Sequence, residues 1–192
     1  MKLAFAAAIL LIPTFPPVQV PQVKLSFVAD SEQYAQVAKQ NQTTWNTEGQ
    51  GMMQAMEEVS GLKFEPIDIQ VIIRAGPSVT GSRNGPMRLN VRYPLRMTLL
   101  HELGHRLNGQ ITNPKKERGG LEAALEEHKF LYLYLYDVWV KLYGKSFADS
   151  SVTAERKWKD LGLYFIDSAW EWALSMNQQQ RASKLKELIG KS

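Results

Sequence analysis

Residues 23–28 alternate apolar and polar side chains, which predicts a half-buried strand, because extended backbone sends successive side chains to opposite faces. Residues 67–73 predict a second strand from their β-branched content, and residues 87–92 a third from clear alternation. Between the first two strands the period changes to 3.6: Tyr34, Val37, Ala38, Trp45, Met52, Met56 and Val59 supply the apolar surface of a helix. Asp30 or Ser31 can cap its start and Gly61 ends it, while Gly49 and Gly51 predict a break near the middle. Residues 75–86, dense in Gly, Pro and Ser, read as a flexible loop; they lack the G-x-x-x-x-G-K-[ST] spacing of a phosphate-binding loop.

From Pro94 onward the pattern is helical. A helix opens at Pro94 and stops at Asn108-Gly109; the loop 110–120, with Lys115, Lys116, Glu117 and Arg118, reads as solvated. A second helix is predicted over 121–143, before Gly144, with Leu121, Leu125, His128, Tyr132, Leu135 and Trp139 as its core-facing stripe. The carboxyl third predicts helices over about 152–176 and 178–189, with Trp158, Leu161, Phe165, Ser168, Ala169 and Trp172 on one face, read as core packing. Strands followed by helices make this an α+β chain with a mostly helical C-terminal half.

Length and composition narrow the picture. With 192 residues, 44% of them hydrophobic, residues 21–192 suit a single domain with a sizeable core. Residues 1–20 form a signal-like or disordered N-terminal segment; its apolar run is too short to span a bilayer. A signal peptide there would make the protein secreted or periplasmic, and its absence cytoplasmic. The chain has no cysteine, so any bound metal must use nitrogen and oxygen ligands. A net charge of +4, spread along the chain, gives no indication of nucleic-acid binding.

The chemistry concentrates in one stretch, residues 98–107. Its His101-Glu102-Leu103-Gly104-His105 core places two imidazoles one helical turn apart, so both can reach one tetrahedral Zn²⁺. Glu102 is placed to take a proton from a metal-activated water as general base. Leu99, Leu100, Leu103 and Leu107 surround these polar groups, so the groups are expected to be buried or semi-buried and to need partners.

This HExxH stretch resembles the signature of the zincin metallopeptidases over about ten residues. The resemblance implies a small mixed or antiparallel sheet packed on an active-site helix, a bound zinc, and a peptide or protein substrate. It also implies that residues 87–92 form the edge of the cleft, to which an extended peptide could add, although an ordinary guarded edge strand reads the same way. Arg106 departs from the pattern, which usually has an uncharged residue there. The metzincin subfamily is excluded, because the position six residues after His105 is Ile111.

A third zinc ligand must come from downstream, where Glu122, Glu126, Glu127 and His128 are available. Helical phase favours His128, which lies on the apolar stripe, with Glu126 as the alternative. The expected function is a zinc-dependent hydrolase, a metallopeptidase. The alternatives are a non-catalytic metal- or peptide-binding module and a regulatory protease with a single protein partner.

Overall fold

A computed structural model describes residues 23–82, 84–111, 120–158 and 162–190. The N-terminal segment 1–20 and the charged loop residues 115–118 lie outside the described residues. The elements are β1 (Val23–Ala29), a 3₁₀ turn (Glu32–Tyr34), α1 (Ala35–Ser60), β2 (Ile67–Arg74), β3 (Met87–Asn90), α2 (Leu95–Asn108), α3 (Leu121–Tyr143), α4 (Lys145–Arg156), α5 (Tyr164–Leu174) and α6 (Gln178–Ile189).

The α+β class and the helical C-terminal half are as the patterning predicts, but the three strands run parallel, where the resemblance implies a mixed or antiparallel sheet. The sheet has the order β1-β2-β3, and β1 and β3 both run parallel to β2. Parallel neighbours need a return path, and α1 supplies it between β1 and β2. Between β2 and β3 the path is the loop 75–86, which doubles back along β3 and makes an antiparallel bridge, Val79 with Arg88. That bridge is the antiparallel component among the described residues.

The loop therefore covers the edge that an added peptide would need. Val79 N donates to Arg88 O and Arg88 N to Val79 O, both at 2.9 Å, while Ser78 Oγ accepts from Asn90 N at 3.0 Å. Strand addition directly to β3 is blocked along this stretch, and the loop predicted to be flexible is stitched to the sheet.

α1 runs unbroken through Gly49 and Gly51. Gly49 lies under Trp45: a Cβ there would come within 2.7 Å of the indole Cδ2. Glycine costs a helix about 1 kcal/mol, whereas a buried indole removes about 150–250 Å² from water at about 25 cal/mol/Å², so packing wins over bending. Gly61 ends the helix as predicted, in the left-handed conformation at φ 75°, its N–H donating to Glu57 O.

The helix predicted over 152–176 is two helices, because the chain turns at Gly162, which takes φ 85°. The predicted face changes accordingly. α5 buries Ile166, Ala169, Trp170 and Ala173, whereas Ser168 is exposed, Trp158 precedes the helix and Leu161 lies outside the described residues.

α3 is the centre of the fold and packs against α1, α2, α4, α5 and α6. Its residues Leu131–Leu135, Val138 and Trp139 are buried, although Leu121, the first residue of the predicted stripe, is exposed. Asp137 of α3 accepts a buried two-point contact from Arg181 of α6, at 3.0 and 2.6 Å. No described helix is long and apolar enough to cross a membrane.

Candidate metal centre

Leu99, Leu100, Leu103 and Leu107 anchor α2 in the core with no exposed surface. Each buried leucine contributes about 1.5–3 kcal/mol, comparable to the several kcal/mol that one uncompensated buried ion costs. The polar groups of α2 must therefore be paired.

His101 and His105 lie one turn apart with ring centroids 4.8 Å from each other. The third imidazole arrives because α2 and α3 approach closely at Gly104, where a Cβ would meet Leu131 Cδ1 at 2.3 Å. Tyr134 Oη fastens the contact by donating to Gly104 O and Asn108 Oδ1, at 3.1 and 2.8 Å. His128 of α3 then lies with its ring centroid 5.3 Å from that of His101 and 4.7 Å from that of His105. One ring nitrogen from each of the three falls within 4.8 Å of the others.

The remaining nitrogens are all engaged. His101 Nδ1 meets Glu155 Oε1 at 2.9 Å, His105 Nδ1 meets Glu127 Oε1 at 2.8 Å, and His128 Nδ1 meets Ala124 O at 2.8 Å. Carbonyl and carboxylate oxygens accept, so each Nδ1 carries the proton and each neutral ring keeps its lone pair on Nε2. His101 Nε2 and His105 Nε2 lie 3.1 Å apart. Two acceptors this close repel unless a cation sits among them, either a proton or a metal ion, and the three nitrogens together could hold a metal ion.

The titration behaviour follows from burial. Burial, with the nearby His101 and His105, pushes His128 down to about 2, so it is neutral at pH 7. Burial would also lower His101, but the charge and hydrogen bond of Glu155 outweigh it and raise its pKa. Burial raises Glu102 above the usual carboxylate range, although His101 and His105 pull it down. The hydrogen bond with His105 holds Glu127 below its ordinary value.

Glu155 is fully buried on α4 and also accepts from Tyr132 Oη and Trp170 Nε1, both at 2.9 Å. Sequence patterning did not single it out. A carboxylate beside apolar positions was visible, but its partners come from α2, α3 and α5. Glu127, off the predicted stripe, supports His105 from the rim. Glu126 is exposed and pairs with Lys129 at 2.8 Å, and Glu122 is exposed; neither joins the cluster.

Glu102, only 4% exposed, faces with the three histidines into a largely apolar cleft of about 770 Å³. The loop residues 75–80 line it, and so do two aromatic side chains read as plain packing. Trp158 lies against His101 at 5.4 Å between ring centroids, and Phe165 lies against His128 at 5.0 Å. Comparison with protein-family models, curated proteins and solved structures returned no match.

Proposed function

We propose that the chain is a zinc-dependent hydrolase, a metallopeptidase, in which His101, His105 and His128 hold the metal and Glu102 is the general base. The observation that carries this reading is the convergence of three imidazole nitrogens beside a buried carboxylate at the floor of a cleft. Zinc held there would polarise a carbonyl and lower the pKa of water from about 15.7 to roughly 7.

The chain's own groups divide the remaining work. Glu102 takes the proton of the attacking water onto its carboxylate and passes it to the departing amine. Glu127, Glu155 and the carbonyl of Ala124 orient the imidazoles, and the apolar walls limit the water around the reacting bond. The largely apolar cleft and the HExxH resemblance together favour a peptide over a small polar ester or amide.

Metal analysis and a broad peptide-library assay test the proposal. About one zinc per chain and chelator-sensitive cleavage are expected. A protein that takes up no zinc on titration would overturn it, and stoichiometric zinc without cleavage of any peptide would leave a metal-binding module.

Glu155→Gln is expected to weaken zinc binding by about 10–100-fold, because the amide lacks the charge that holds the Nδ1 proton of His101. Competitive zinc titration measures this. An unchanged affinity would remove Glu155 from the metal centre.

A further inference from the structure

We propose that Thr80 and Arg106 are positioning residues that lock one wall of the cleft to the metal-bearing helix, so that substrate meets a preformed groove; its bearing on substrate rests on the hydrolase reading above.

Residues 76–80 of the loop line the cleft, and their contacts run in two directions. Towards the sheet, the Val79–Arg88 bridge and the Ser78 contact are joined by Asn90 Nδ2, which donates to Gly76 O at 2.7 Å. Towards α2, Thr80 Oγ1 donates to the backbone carbonyl of Glu102 at 2.9 Å. Arg106 Nε donates to Thr80 O at 2.9 Å, and its Nη2 donates to Gly85 O at 2.6 Å. The wall is thus bonded to the backbone of the general base itself.

Arg106 explains why the departure from the usual motif is tolerated. Its guanidinium stays charged at any physiological pH, and the residue is 9% exposed. Undocking the loop would break this cation's bonds to the Thr80 and Gly85 carbonyls, which are charge-assisted and so stronger than neutral hydrogen bonds. Gly81, at φ 73°, makes the turn beyond Thr80 where a Cβ would fall 2.3 Å from Pro86 O, which returns the chain beneath the guanidinium. Arg106 follows a proposed metal ligand in sequence but acts on the opposite partner, the substrate wall.

Three variants test this: Thr80→Val, which keeps shape and loses the hydroxyl; Thr80→Ser, which restores it; and Arg106→Lys, which keeps charge and loses the fork. Amide hydrogen exchange at Val79 and Arg88 in metal-free protein is expected to quicken about tenfold or more in Thr80→Val and Arg106→Lys, with Thr80→Ser close to wild type. In zinc-loaded protein, KM for a cleaved peptide is expected to rise about tenfold, with kcat within about threefold and zinc affinity unchanged. Wild-type exchange rates in both Thr80→Val and Arg106→Lys would overturn the clamp. A loosened loop with unchanged KM would overturn its role in placing substrate. Should Arg106→Lys not fold, the two Thr80 variants decide alone. A wild type that cleaves no peptide overturns the hydrolase reading instead, while the exchange comparison still judges the clamp.

Discussion

Replacing Glu102 by glutamine is expected to lower peptide turnover by about 10²–10⁴-fold while zinc stays bound. The amide keeps the shape of the side chain and fits the same buried position, but it has no oxygen basic enough to take a proton from water. Stability separates this outcome from misfolding. Glu102 is 4% exposed and burial raises its pKa, so the wild-type carboxylate carries a desolvation cost that the neutral amide lacks. In metal-free protein the variant should therefore melt no lower than the wild type. Zinc content, melting temperature and kcat/KM on one substrate are the three measurements, and undiminished kcat/KM would remove Glu102 from the mechanism.

The second large effect is expected for His128→Ala. Four-ligand structural zinc sites gain about 10–16 kcal/mol, roughly 2.5–4 kcal/mol per ligand, so losing one should cost roughly 10²–10³-fold in affinity. That exceeds the effect expected for Glu155→Gln, whose side chain only orients a ligand. The control is Glu126→Ala. Its carboxylate is exposed and paired with Lys129, an arrangement worth about 0–1 kcal/mol, so zinc affinity should not change. Loss of metal in Glu126→Ala with retention in His128→Ala would move the third ligand to the glutamate.

The parts of this site legible in the sequence are those governed by local rules. α3 spans the predicted residues 121–143 because Gly144 stops it and a 3.6-residue stripe runs through it. That stripe singled out His128, although it does not describe the whole helix: Leu121 on the stripe is exposed, and residues 131–135 are buried on every side. The supporting carboxylates obey no local rule. Glu127 looks like a solvated neighbour until α2 is placed beside it, and Glu155 is 54 positions from the histidine it supports. The cleft wall failed for the opposite reason: its Gly, Pro and Ser content signals turns, and turn chemistry does not reveal that Arg106 will hold them in place. Gly49 and Gly162 show the same ambiguity, one admitting an indole and the other turning the chain.

The shorthand HExxH leaves two positions open, and in this protein both are packed into the core. Leu103 has no exposed surface. Gly104 faces Leu131, itself fully enclosed, so any side chain there must displace the Leu131 methyl and crowd the contact between α2 and α3 that brings His128 to the other two histidines. A library that randomises the open positions while preserving the histidines and glutamate would keep the motif and lose its geometry. In this chain the spacing between letters is maintained by the residues that the letters omit.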